Sequence, residues 1–193
     1  MDVPASLEMV VRSAWLLPVL VVMIAVDAPF PVLPSETLLM TAVAVAFAGD
    51  DVSFVLALFV AAVLGSVAGD LITFALGRSS HRLIAGSATD GLRVRGHLLR
   101  RPGAVLVGAR FLPGGRLVST AAAGRFGLRA RSFLIWSVVS STAWAAYILG
   151  VGRVLEPLTG GDPLLSVLAA TVLAIVTGGL FALGVRLLGV RTA

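Results

Sequence analysis

Three long apolar runs constrain the fold of this chain more than any other feature. They cover residues 54–77, 133–152 and 164–188, and they are almost free of charge. As helices, runs of this length can each cross about 30 Å of hydrocarbon. The composition agrees, because 58% of the residues are apolar and 13% are charged, whereas soluble domains carry about 25% charged residues. The sequence therefore predicts a single membrane domain over residues 1–193.

Two further apolar regions contain prolines, glycines or charged residues, which disfavour a straight membrane-spanning helix. Residues 13–28 could form a first span, but the stretch that follows opens with PFPVLPSE, and residues 103–124 contain Pro113-Gly114-Gly115 and two arginines. Irregular backbone survives at membrane depth only where it is buried in protein or lines a wet cavity. We therefore expect two re-entrant helical hairpins, which enter and leave the membrane on the same side.

The distribution of the 15 arginines supports a specific topology. With both termini in the cytoplasm, and with Arg110 and Arg116 set aside, 12 of the remaining 13 arginines lie on the cytoplasmic side and only Arg153 lies outside. This agrees with the positive-inside rule. The predicted order is a first span plus re-entrant hairpin (13–52), a span (53–77), a basic cytoplasmic segment (78–102), a second re-entrant hairpin (103–131), a span (132–152) and a last span (163–189).

This order contains an inverted repeat. A hairpin followed by a span occurs twice, ending in TFALGR at Arg78 and in ILGVGR at Arg153, and the two copies cross in opposite directions. Inverted repeats with broken elements that meet at the midplane are typical of transporters. The predicted fold class is an all-α membrane protein with about four transmembrane helices and two opposed re-entrant helical hairpins.

Four charged residues lie in or beside the hairpins, namely Asp27, Glu36, Arg110 and Arg116. A charge at membrane depth costs about 2.5–3.5 kcal/mol on insertion scales, so such charges usually face a partner or water. The planar fork of arginine suits phosphate, and a carboxylate in a low-dielectric site can take up a proton. We expect the four charges to converge in a site that holds an anionic headgroup and responds to protons. Alternatively, they form static ion pairs that fasten the hairpins together.

Asp70 is a secondary candidate for this site. It follows Gly65 and Gly69, whose small-xxx-small spacing predicts close helix packing with Asp70 turned inward. A purely structural role and a functional role are both open for this residue.

Other functions are disfavoured by the sequence. The chain has no cysteine, and no histidine follows His97, so we expect no enzyme activity, no metal site and no cofactor. Its basic residues lie between apolar runs, where they would face anionic lipid headgroups. We therefore expect membrane lipids, with protons, as partners, and not nucleic acid.

The chain resembles the DedA family, whose shared region is also called the SNARE-associated or VTT domain. The resemblance covers about residues 13–155 and lies in four motifs: Asp27 followed by PFPVLPSE, the run from Gly65 to Arg78, the pair R-F-x-P-x-x-R from Arg110 to Arg116, and WAAYILGVGR from Trp144. Ser35 stands where the family usually has glycine, Ser80 and His81 replace a glycine often found after G-R, and Asp27 is shorter than the usual glutamate.

The resemblance implies a protein of the bacterial cytoplasmic membrane that moves lipids between leaflets. It implies polyprenyl phosphate or phospholipid as substrate and dependence on proton-motive force, with functional residues at Asp27, Glu36, Arg110 and Arg116. The sequence thus favours a lipid flippase or scramblase. Two alternatives stay open: a non-transporting integrity or assembly factor with static charges, and a proton-coupled antiporter for small cations or drugs.

Overall fold

The computed structural model describes residues 13, 15–30, 35–83, 89–110 and 114–159. Within these ranges the chain is entirely helical, which confirms the all-α prediction. The predicted last span, residues 163–189, lies outside the described residues. The described helices are α1 (Leu16–Asp27), α2 (Ser35–Ala48), α3 (Val52–Leu83), α4 (Thr89–Arg100), α5 (Pro102–Arg110), α6 (Gly115–Arg125) and α7 (Ala130–Thr159).

Two helices of the described chain, α3 and α7, are long and apolar enough to cross a membrane. They contain 32 and 30 residues and include the predicted spans 53–77 and 132–152. Helix α3 continues to Leu83, into the segment predicted to be a basic cytoplasmic loop. Residues 78–83 contain no glycine or proline, so nothing in the local sequence ends the helix at the edge of the apolar run.

Helices α3 and α7 pack antiparallel in a regular register. Ser66 is opposite Ser141, with their hydroxyl oxygens 3.1 Å apart. Four residues further along α3, Asp70 meets Ser137 at 2.8 Å. One more step of four residues stacks the rings of Phe74 and Phe133, whose centroids are 4.2 Å apart. The numbering rises on α3 while it falls on α7, in agreement with two spans that cross in opposite directions.

The remaining apolar helices are short. Helices α1, α2, α5 and α6 contain 12, 14, 9 and 11 residues, which corresponds to roughly 14–21 Å at 1.5 Å per residue. This is less than the hydrocarbon thickness of about 30 Å. Helix α1 is the described part of the predicted first span, and α5 and α6 contact each other across the predicted hairpin break.

Helix pairs make the same contacts in both halves of the chain. Helix α1 packs on α3 as α5 packs on α7, and α1 contacts α2 as α5 contacts α6. Two further contacts cross between the halves, since α6 packs on α3 and α2 packs on α7. Within the described residues, the contact of α2 with α3 has no counterpart of similar extent between α6 and α7. The glycines of the two G-R motifs lie at these contacts between the halves: Gly77 faces Ala121 of α6, and Gly152 faces Val43 of α2. This pattern supports the internal repeat inferred from the sequence.

Glycines let α1 approach α3 closely. A Cβ atom on Gly65 would lie 2.7 Å from the Val21 carbonyl oxygen, and one on Gly69 would lie 2.5 Å from Cβ of Ala28. Neither position has room for a side chain, so the small-xxx-small spacing serves helix packing as predicted. Asp70, next to Gly69, is turned into the protein and is 3% exposed.

The contact between α3 and α6 is closer still. A Cβ atom on Gly124 would overlap the carbonyl oxygen of Phe74, and one on Gly77 would overlap that of Ala121. Each obstacle is backbone, which cannot move aside as a flexible side chain can. These two glycines set the distance between α3 and the second hairpin helix.

We therefore expect Gly124→Ala to destabilise the protein by at least about 1–3 kcal/mol, the usual range for overpacking a tight interface. Gly150→Ala is the matched control, because a Cβ atom there would meet nothing within 4 Å and alanine favours helix by about 1 kcal/mol over glycine. Thermal unfolding of both variants in the same detergent tests this. Equal stability of the two variants would mean that α3 and α6 are not held this closely.

The basic segment 78–102 contains helix α4. Leu98 on this helix is fully buried, in a cluster with Phe74, Leu106 and Phe133. Arg95 and Arg100 are exposed. Helix α4 thus packs one side on the protein and leaves basic side chains outward.

Candidate functional site

The candidate site is a polar layer between two apolar clusters. One cluster joins α1, α2, α3 and α7 and ends at Ala62 on α3. The other begins at Phe74 on α3 and Phe133 on α7. Between them, α3 contributes Ser66 and Asp70, and α7 contributes Ser137 and Ser141. The four-residue spacing puts each pair on one helix face, so the polar groups meet inside the protein.

Both arginines of the second hairpin bind Asp70. Nε of Arg116 donates to Oδ1 at 2.7 Å, and Nη1 of Arg110 donates to Oδ2 at 3.3 Å. The Ser137 hydroxyl also donates to Oδ2, at 2.8 Å. The carboxylate therefore has three donors from α5, α6 and α7, which satisfies a charge that would otherwise be costly to bury.

Ser66, one turn before Asp70, binds the same two arginines. Its hydroxyl accepts from Nη2 of Arg110 and from the Ser141 hydroxyl. Its backbone carbonyl accepts from Nη2 of Arg116 at 3.0 Å. A single turn of α3 thus holds both guanidinium groups.

The hairpin break positions the two arginines. Arg110 is the last residue of α5, and Arg116 is the second residue of α6. Gly114, immediately before α6, has φ +70°, a left-handed conformation that glycine adopts without steric cost. The break therefore places the guanidinium groups of Arg110 and Arg116, from two short helices, against the same turn of α3.

The two arginines differ in environment. The Arg110 side chain is 3% exposed, and its guanidinium lies 5.2 Å from the centre of the Trp144 ring, within the range of a cation–π interaction. The Arg116 side chain is 20% exposed. Arg110 is thus the deep member of the pair, and Arg116 is the accessible one.

Each guanidinium uses two nitrogens to bind α3. The third nitrogen of Arg110, Nε, is buried and has no hydrogen-bond acceptor. Arg116 binds through Nε and Nη2, and within the described residues its Nη1 has no acceptor. Buried donors are almost always satisfied in proteins. The unsatisfied N–H of Arg110 Nε therefore requires an explanation.

The two acidic candidates belong to the first hairpin region. Asp27 is the last residue of α1 and accepts a hydrogen bond from the Ser35 hydroxyl at 3.1 Å. Glu36 is the second residue of α2 and is exposed. Glu36 interacts electrostatically with Asp27, Arg116 and Arg110. Of the four charges singled out from the sequence, Glu36 therefore lies within electrostatic range of the other three.

The direct partner of the arginines differs from the sequence expectation. We expected Asp27 and Glu36 to face them, and the salt bridges that the described residues make to Arg110 and Arg116 instead both go to Asp70. The physical reason is the close packing of α3 on α6, which brings Asp70 to the arginines. Its position one turn after Ser66 in an apolar run was the available signal, because a buried carboxylate requires a cation.

The charges occupy matching positions in the two halves. Asp27 and Arg110 each end the first short helix, while Glu36 and Arg116 are each the second residue of the helix that follows. The two charges of the first half, Asp27 and Glu36, are acidic, and the two charges of the second half, Arg110 and Arg116, are basic. In the described residues, no three acidic or histidine side chains come together as metal ligands would.

Comparisons with known proteins place the chain in a family. The VTT domain model matches residues 33–154, a region that contains Glu36, Asp70, Arg110 and Arg116. Comparisons with curated proteins and with solved structures gave no match. The matched region covers more than half of the chain and agrees with the helical, apolar fold. The chain therefore belongs to the VTT domain family, the DedA family of membrane proteins.

Proposed function

We propose that this protein is a lipid flippase or scramblase that moves an anionic phospholipid or a polyprenyl phosphate between leaflets of the bacterial cytoplasmic membrane. One observation carries the proposal: two arginines inside an apolar helical protein each have a nitrogen without an acceptor among the described residues. Such donors suit phosphate oxygens. Family membership supports a membrane location and is consistent with this activity.

The arginines favour an anionic substrate over a cationic one. A proton-coupled antiporter for small cations or drugs would use Asp27 and Glu36 but would gain nothing from two guanidinium groups beside them. Arginine remains charged in proteins, so the pair presents a lasting positive charge to an entering ligand. The surrounding apolar helices would accommodate a lipid better than a soluble anion.

We assign proton coupling to Asp27 and Glu36. Glu36 lies within electrostatic range of Asp27 and of both arginines, whereas the salt bridges that the described residues make to the arginines go to Asp70. A proton on Glu36 would make the site more favourable for a phosphate, and loss of that proton would make it less favourable. Uptake and release of protons could thus be linked to uptake and release of lipid.

The proposed topology has both termini in the cytoplasm and both hairpins re-entrant. The chain has no native cysteine, so single cysteines can be introduced without background labelling. We expect a membrane-impermeant maleimide to label Asp50→Cys from outside the cell and Ala130→Cys only after the cytoplasmic side is opened, since both positions are exposed. Labelling of position 50 from the cytoplasm would contradict the topology.

A non-transporting integrity or assembly factor is the second candidate. The observation in its favour is the completeness of the bonds to Asp70, whose two oxygens take three donors. The sole role of such a network could be to hold the second hairpin against α3. The buried Arg110 Nε favours transport, because a fastening role has no use for a buried donor that finds no acceptor among the described residues.

Purified protein in liposomes separates these candidates. We expect it to move fluorescent phosphatidylglycerol, phosphatidic acid or polyprenyl phosphate across the bilayer, with a rate that depends on an imposed pH gradient if protons are coupled. Movement of no lipid by folded protein would favour the integrity factor. Cation-dependent proton flux without lipid movement would favour the antiporter.

A further inference from the structure

Asp70 occupies the position that a ligand phosphate would be expected to take. It bridges Arg110 and Arg116 with one oxygen each, and it is 3% exposed. Its charge neutralises part of the positive charge of the pair. A phosphate that approached the vacant nitrogens would also meet the repulsion of this nearby carboxylate.

The vacant nitrogens show that the arginines can still bind a ligand. Arg110 Nε is a buried donor without an acceptor in the part of the chain that the structure describes, and Nη1 of the partly exposed Arg116 has none there either. A phosphate could therefore contact both arginines while Ser66 keeps its bonds to them. Binding would be possible but weakened by Asp70.

We propose that Asp70 is an internal counter-anion that competes with the lipid phosphate for Arg110 and Arg116 and lowers its affinity enough for release. The inference rests on the proposed function. A transport site must bind its substrate well enough to admit it and weakly enough to let it leave. In this account Asp70 positions the arginines and also sets the upper limit of phosphate affinity.

The proposal predicts that loss of the Asp70 charge tightens binding. Asp70→Asn keeps the shape of the side chain and one acceptor oxygen, but it removes the charge and replaces the other oxygen with an NH2 donor, so the side chain can no longer bridge both arginines. In detergent, farnesyl phosphate should give half-maximal thermal stabilisation of this variant at a concentration at least about tenfold lower than for the original protein, because the competing state is removed. Transport in liposomes should become slower, since the bound lipid leaves less readily.

Two controls make the result specific. Farnesol, which has the same chain without phosphate, should stabilise neither protein through this site. Asp70→Glu keeps the competing charge and should not tighten phosphate binding. If Asp70 has a purely structural role, Asp70→Asn should bind farnesyl phosphate more weakly, in proportion to its loss of stability.

The outcomes are distinguishable. If the original protein shows no stabilisation specific to the phosphate, the proposed function itself fails. If the original protein binds and Asp70→Asn binds equally or more weakly, only the counter-anion role is refuted. An Asp70→Asn protein that does not fold even with saturating farnesyl phosphate would also refute it, because the ligand should replace the missing negative charge.

Discussion

Arg116→Lys is expected to insert and fold but to lose at least about tenfold of its transport rate, equivalent to about 1.4 kcal/mol of barrier. Arg116 binds Asp70 through Nε and the Ser66 carbonyl through Nη2, and its Nη1 has no acceptor among the described residues. Lysine has one nitrogen and no planar fork. It can neutralise Asp70, but it cannot hold both groups and present a phosphate-binding edge.

Flipping rate per folded molecule and thermal stability should be measured together on this variant. We expect the stability loss to stay within about 1–2 kcal/mol, because the charge opposite Asp70 is kept. Arg131→Lys is the matched control, since Arg131 is exposed at the start of α7, and it should change neither property. Full transport by Arg116→Lys would argue for a static ion pair.

Glu36→Gln is expected to lower proton-dependent transport by at least about tenfold, again about 1.4 kcal/mol of barrier, while lipid binding survives. A neutral amide mimics the protonated acid, so a cycle that needs this proton to be released should stop. Stability should change by less than about 0.5 kcal/mol, as for other surface substitutions, because Glu36 is exposed and the salt bridges of the arginines go to Asp70.

Asp50→Asn provides the same acid-to-amide change away from the site. Asp50 is exposed and has φ 49°, a conformation that asparagine tolerates well, so this variant should transport normally. Transport by both variants should be compared with and without an imposed pH gradient. A large loss of stability in Glu36→Gln would instead assign Glu36 to a static ion pair.

The sequence predicted the helical fold and the two long spans because apolar runs are local signals. The close contact of α1 with α3 was also visible, since Gly65 and Gly69 mark one helix face at the spacing that close packing requires. The continuation of α3 to Leu83 was not predicted. Hydropathy locates the edge of an apolar run, whereas the end of a helix depends on caps and breakers.

Part of the site was also predicted, because helix breakers and intramembrane charges are local signals as well. Breakers and intramembrane charge singled out Asp27, Glu36, Arg110 and Arg116, and the structure brings Glu36 within electrostatic range of the other three. The pairing of both arginines with Asp70 depends on which helices touch, and that information is spread over α3, α6 and α7. The serines opposite Asp70 and Ser66 were missed, because serines in an apolar helix are too common to single out without the antiparallel register.

The central claim is that the arginine pair carries a lipid phosphate across the membrane. The most direct measurement compares transbilayer movement of a fluorescent polyprenyl phosphate in liposomes that contain either the original protein or the Arg110→Gln/Arg116→Gln protein, each verified to be folded. We predict rapid movement with the original protein, loss of that movement with the double variant, and no protein-dependent movement of the corresponding polyprenol by either. Equal movement of the polyprenyl phosphate by both folded proteins would contradict the account.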